Sequence, residues 1–210
     1  MKEIDVYKVL EGKNPKLARR VPRLVVDYLR RTIHEREVNE ILARFGDLEG
    51  IAFVRAALGY MNVRYHSVGM ERLNPEGRYV FASNHPFGGM DGLMLADEVA
   101  RYFGDVRVVV NDLLMYLGPL RGLFVPVNKH GRQDAGSVEA FNNAFASDVP
   151  IVTFPAGLCS RRRRGVVRDL EWKPNFVKKA AAYGRDVVPV YFNGRLSDFF
   201  YRLSNLRTVL

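Results

Sequence analysis

The sequence predicts an α/β fold: a largely parallel mixed sheet flanked by helices over residues 61–210, preceded by an N-terminal amphipathic helical element over residues 1–60. Two patterns carry this expectation. From about residue 61 short apolar runs alternate with helical stretches, as in βαβ units, whereas residues 1–60 show only helical periodicity. The length of 210 residues suits one such domain with a small appendage, and 48% hydrophobic with 26% charged residues is ordinary for a folded globular chain.

In the first element, residues 16–28 place Leu17, Val21, Leu24, Val25 and Tyr28 on one stripe at spacings of three and four. Arg19, Arg20, Arg23 and Arg30 lie largely off it. Residues 35–45 form a second amphipathic stretch with Val38, Ile41, Leu42 and Phe45. Such a pair packs on its own domain, and its basic rim also suits an anionic bilayer.

Further along, strands are predicted over residues 63–68, 79–82, 106–110, 123–127, 151–154 and 187–192, and helices over 92–102, 134–145 and 174–183. In open sheets of this kind, sites form at the carboxyl ends of strands. There is no internal repeat and no low-complexity segment.

Composition narrows the function classes. The net charge is +9, concentrated in residues 13–31 and in the run Arg161–Arg164. Such a surface suits nucleic acid, an anionic membrane surface or anionic small substrates. No basic stretch is interleaved with exposed-looking aromatics and no nucleic-acid motif appears, so nucleic acid is not expected. Cys159 is the sole cysteine, which rules out an intrachain disulfide and fits a reducing compartment. No secretory signal stands at Met1, and no run approaches the roughly 18 apolar residues of a membrane span. His34, His66, His130 and Cys159 lack metal-ligand spacing, so no metal is expected. No phosphate-binding loop or dinucleotide fingerprint is present.

The chemistry concentrates after the strand at 79–82, in Ser83-Asn84-His85-Pro86-Phe87-Gly88-Gly89-Met90-Asp91-Gly92. Six extended steps from His85 to Asp91 would span about 20 Å. Contact between them requires a compact turn, which Pro86, Gly88 and Gly89 permit. A histidine held by an aspartate is a good general base, because the carboxylate fixes the tautomer and stabilises the imidazolium. On spacing alone the two residues read equally as a polar turn residue and a helix N-cap.

Asn84-His85 followed by Asp91 resembles the first motif of the PlsC-like lysophospholipid and glycerolipid acyltransferases, and three more segments match in order. Gly122-Leu123-Phe124-Val125-Pro126-Val127-Asn128-Lys129 is similar to the second motif. Phe154-Pro155-Ala156-Gly157 is similar to the third, and Val188-Pro189-Val190 to the fourth. The closest resemblance is to a bacterial subgroup reading Asn-His-Pro-x-Gly-Gly-x-Asp-Gly, associated with O-acylation of lyso-lipids, including amino-acid-based ones. Members of that subgroup continue beyond the position of Leu210.

The resemblance implies an acyl-transfer enzyme at the inner face of the cell membrane, with His85 as base and Asp91 orienting it. The acyl donor would be a thioester of acyl carrier protein or coenzyme A, the acceptor a lyso-lipid hydroxyl, and no bound cofactor is implied. Asn84, Gly88, Gly89, Lys129, Arg132, Phe154, Pro155, Gly157, Arg161 and Arg162 are the candidate substrate-binding residues, with backbone N–H groups near Gly157 as oxyanion donors. Two departures stand out. Five residues rather than four separate His85 from Asp91, and Ala156 replaces the third motif's glutamate, with arginines following at Arg161–Arg164. The rival readings are a catalytically silent lipid-binding relative and a basic nucleic-acid-binding module.

Overall fold

The computed structural model describes residues 4–13, 15–32, 34–127 and 135–206. It divides into two units, Met1–Val63 with Tyr116–Gly122, and Arg64–Met115 with Leu123–Leu210.

The first unit is helical: α1 (Val6–Lys13), α2 (Pro15–Ala18), α3 (Arg23–Thr32), α4 (Glu35–Phe45) and α5 (Gly50–Tyr60). The single helix expected over residues 16–28 is instead two. Pro22 lacks an N–H and biases Val21 away from helical backbone, so the chain turns and restarts at Arg23. The restart changes the buried face: Val26 is buried, whereas Leu24, expected on the apolar stripe, is 82% exposed. Polar contacts tie the chain start to α4. The Asn39 amide donates to Ile4 O at 2.8 Å and accepts from Ile4 N at 2.7 Å. Arg30 lies within ion-pair reach of Asp5 and Glu35, each at 3.3 Å.

The second unit carries the sheet. β1 (Tyr79–Ser83), β2 (Arg107–Asn111), β3 (Phe124–Val127) and β4 (Ile151–Thr153) are followed by a separate antiparallel hairpin, β5 (Arg161–Arg163) and β6 (Val166–Arg168), and then by β7 (Asp186–Val190). The five-stranded sheet has the order β3-β2-β4-β1-β7, with every pair parallel. Its crossovers carry α6 (Gly89–Phe103), α7 (Ala135–Ala146) and α8 (Asn175–Ala182), and α9 (Asp198–Leu206) follows β7. Proline removes a ladder donor and is tolerated at sheet edges. Pro126 and Pro189 accordingly lie on β3 and β7, the two outer strands.

β1 is buried along its whole length because both faces are covered. Tyr79 and Phe81 meet Phe103 of α6, at ring centroids 5.5 and 5.9 Å apart. Val80 points the other way, into a cluster with Val125, Ala144, Phe145, Ile151 and Ala180. Beneath the sheet Arg185 is buried and donates to the carbonyls of Phe145 at 2.8 Å, Val149 at 2.9 Å and Ser147. It thereby satisfies carbonyls that the end of α7 leaves without helical partners.

Residues 63–68, expected as a strand, pair with no strand. The period-two alternation is met by side-chain contacts to α6 instead: the Tyr65 hydroxyl donates to Asp97 Oδ2 at 2.6 Å, and the Ser67 hydroxyl to Glu98.

Replacing Arg185 removes a buried charged donor from Val149 O and from the end of α7, where Arg78 still reaches Ser147 O at 3.0 Å and Phe145 O at 3.4 Å. Arg185→Met is expected to cost about 2–3 kcal/mol, which lowers the thermal midpoint by roughly 4–12 °C for a chain of this size. A calorimetric scan of the variant checks this.

Candidate active site

The last residue of β1, Ser83, is fully buried, and the chain leaves the sheet as Asn84 and His85 before turning into α6 at Gly89. Gly88 is the helix N-cap at φ 69° and ψ −130°, a conformation glycine reaches without strain. A Cβ there would also stand 3.1 Å from Cys159 Sγ. This one left-handed residue absorbs the longer spacing between His85 and Asp91.

Asp91 sits in the first turn of α6 and is wholly buried. Its Oδ2 accepts the Phe87 N–H at 2.9 Å and lies 3.0 Å from His85 Nδ1. The imidazole N–H is turned off the line to the oxygen, so the two meet at ion-pair distance without a linear hydrogen bond. Burial pushes the Asp91 carboxyl above its ordinary 3.8, against the pull of His85 and of the N–H groups of Phe87 and Gly88. With Nδ1 facing Asp91, Nε2 is the nitrogen left to accept a proton, and the His85 side chain keeps 18% of its surface open. Phe154 covers one face of the ring, with centroids 4.2 Å apart and planes tilted by 30°.

A second carboxylate holds the main chain of His85. Asp169 Oδ1 accepts from His85 N at 3.2 Å and from the Ser160 hydroxyl at 2.5 Å, and its Oδ2 accepts from Trp172 Nε1 at 2.9 Å. Ser160 N in turn donates to His85 O at 2.9 Å. Sequence reasoning missed Asp169. The available signal was its isolation: no acidic residue stands between Asp148 and Asp169 in a strongly basic stretch.

Of the other expected site residues, Phe154, Gly88 and Gly89 lie beside the His85–Asp91 pair. The space above Gly89 is open, with nothing within 4 Å of a Cβ placed there. Asn84 is committed elsewhere: its amide donates to Phe192 O at 3.0 Å and accepts from Phe192 N at 2.7 Å, tying the end of β1 to the chain leaving β7. Pro155 O accepts from Lys173 N at 3.2 Å. Gly157, at φ 66°, spends its N–H on Phe154 O at 2.9 Å, so that N–H closes a turn. Arg161 folds back onto Cys159 O at 2.6 Å, and Arg162 pairs with Asp198 at 2.9 Å. Lys129 and Arg132 lie outside the described residues. Burial pushes the Cys159 thiol up, which disfavours the thiolate that thioester exchange needs.

Among the described residues, no group of three or more His, Cys, Asp or Glu side chains could hold a metal ion, and no helix is long and apolar enough to cross a membrane. The arrangement can take a proton from a hydroxyl at His85 Nε2, with Asp91 stabilising the imidazolium.

A family model described as acyltransferase matches residues 8–210. The chain belongs to this acyltransferase family. It is 46% identical over 204 residues to a lyso-glycine lipid O-acyltransferase of Bacteroides thetaiotaomicron, covering 97% of this chain and 75% of that protein. It is 43% identical over 204 residues to a protein of the same name from Phocaeicola vulgatus, covering 97% of this chain and 73% of the relative. The PlsC-like resemblance read from the four motifs is thus met by the family match.

The buried carboxylate of this acyltransferase has a testable cost. The folded state holds the Asp91 proton more tightly than the unfolded chain, so stability is lost as pH rises from 3.8 through the raised value. Asp91→Asn is expected to melt above the wild type by a margin that grows with pH across this window, while acyl transfer falls. A lower neutral-pH midpoint for the variant would show the charge to be net stabilising. Asp169→Ala is expected to reduce kcat at least tenfold by releasing the His85 main chain, and to shift the emission of Trp172, the sole tryptophan, because its Nε1 loses its acceptor.

Proposed function

We propose that this acyltransferase moves a fatty acyl group from an acyl thioester to the hydroxyl of a lyso-lipid acceptor, with His85 as general base and Asp91 as the group that orients it. The observation that carries the reading is the 3.0 Å approach of His85 Nδ1 to a buried carboxylate across the glycine-rich turn. The acceptor hydroxyl gives its proton to Nε2 while its oxygen attacks the thioester carbonyl. The tetrahedral intermediate then expels the thiolate, breaking the C–S bond, and the imidazolium returns the proton to sulfur. No cofactor takes part; the thioester of acyl carrier protein or coenzyme A is a co-substrate.

An amino-acid-based lyso-lipid is the favoured acceptor class. The names of both relatives, lyso-glycine lipid O-acyltransferase, support it. Ala156, buried where the family's third motif has glutamate, points to an acceptor other than ordinary lysophosphatidate. A peripheral position at the inner membrane face suits such an acceptor. The helical element at residues 1–60 is a candidate contact there, with Leu24 exposed among Arg19, Arg20 and Arg23. The long His85–Asp91 spacing that motivates a catalytically silent reading does not keep the two side chains apart.

The test is acyl transfer by the purified protein and by His85→Ala, with both thioester donors and a panel of phosphate-bearing and amino-acid-based lyso-acceptors. The expected result is wild-type transfer preferring the amino-acid-based acceptor, and a loss of about 10²- to 10⁴-fold in the variant. Transfer that survives the substitution overturns the role of His85. A preference for lysophosphatidate overturns the acceptor class.

A further inference from the structure

The arginine run is a built element with a position. Arg161–Arg163 and Val166–Arg168 pair antiparallel, Arg161 opposite Arg168 and Arg163 opposite Val166. Arg164 and Gly165 have φ of 50° and 81°. Two consecutive positive φ values are those of a type I′ turn, whose twist suits a two-residue hairpin. Its charges divide by depth. At the base Arg161 bonds Cys159 O, and Arg162 pairs with Asp198 of α9, which packs on β5. Arg163 and Arg164 at the tip, and Arg168 at the base opposite Arg161, are exposed and make no ion pair among the described residues. Between them Val166 is 60% exposed, and Phe199 on α9 is 70% exposed.

The hairpin is rooted on the catalytic turn. Ser160 and Asp169 flank its two strands and are joined by the 2.5 Å hydrogen bond between them; they are also the residues that bond His85 O and His85 N. Three residues per strand at about 3.3 Å each carry the tip roughly 10 Å beyond that root.

We propose that the hairpin Arg161–Arg168 is a docking prong for an anionic lipid surface, and that it sets the height of His85 over the bilayer that supplies the acceptor. The second half of this inference rests on the lyso-lipid reading above. A convex two-residue tip mixing cationic and apolar side chains fits a headgroup layer: the arginines reach phosphates while Val166 enters the acyl boundary. An acidic carrier protein or a nucleic acid would also meet the charge; the exposed Val166 beside Arg163 and Arg164 favours the lipid surface. Each arginine near an anionic leaflet contributes roughly a factor of five in partition, so reversing two costs at least about thirtyfold.

The experiment is co-sedimentation of the full chain with phosphatidylcholine vesicles with and without phosphatidylglycerol. It compares wild type, Arg163→Glu/Arg164→Glu, Arg163→Lys/Arg164→Lys, Val166→Asp, His85→Ala and an N-terminal control, Arg19→Glu/Arg20→Glu/Arg23→Glu, each checked by thermal melting. The expected result is salt-sensitive binding of wild type to the phosphatidylglycerol vesicles. Binding falls at least thirtyfold in the glutamate pair, falls in Val166→Asp, and stays within about threefold in the lysine pair. Turnover on vesicle-embedded acceptor should drop in the glutamate pair at least tenfold relative to turnover on detergent-dispersed acceptor. His85→Ala, which binds vesicles without turning over, separates docking from chemistry. Vesicle binding unchanged in the glutamate pair, or lost only in the N-terminal control, overturns the proposal. It is equally overturned if the glutamate pair keeps vesicle binding and instead loses affinity for acyl carrier protein or for duplex DNA.

Discussion

Asp91 is a carboxylate with no exposed surface at the head of a helix, and enclosing such a group imposes conditions on everything around it. It takes a donor from the turn that precedes it, the Phe87 N–H, and stands 3.0 Å from the imidazole of His85. Those contacts require the chain to double back between the sheet and α6, which forces a left-handed residue at Gly88. A Cβ on that residue would crowd Cys159 Sγ at 3.1 Å. The placing of His85, the identity of the N-cap and the packing of the next loop are therefore tied to one buried carboxylate.

Asp169 answers the same problem from the other side. A histidine side chain aimed at its partner is of little use if its own backbone drifts, because small displacements at the reacting nitrogen are costly. Here the two main-chain groups of His85 are held by the residues that close the base of the arginine hairpin. Loop, hairpin root and indole thus form one hydrogen-bonded node.

Much of this was legible in the residues themselves. The parallel strands declared themselves as short apolar runs, one under each of β1, β2, β3, β4 and β7, though only β1 and β4 are buried along their whole length. The glycines between His85 and Asp91 permitted their contact without requiring it. Three features resisted. Residues 63–68 carry the alternation of a strand, but hydroxyls rather than a backbone ladder use it. The hairpin has arginine where strands ordinarily show β-branched residues, so no periodicity marked it; only the positive φ at Arg164 and Gly165 reveals the turn. Asp169 acts on a residue 84 positions earlier, and nothing local foreshadows so distant a bond. Asn84 shows the converse, since its place in a motif suggested a ligand contact and the fold spends its amide on Phe192.

The two outer strands both carry proline, Pro126 on one side and Pro189 on the other. An open sheet ordinarily offers an unsatisfied row of donors and acceptors at each margin, a template for any extended segment that drifts past. A ring nitrogen interrupts that row on both flanks. Strand addition, whether by a second copy, a peptide ligand or a partly unfolded neighbour, is therefore disfavoured at either end. High local concentration then does not convert into fibrous association through either sheet margin.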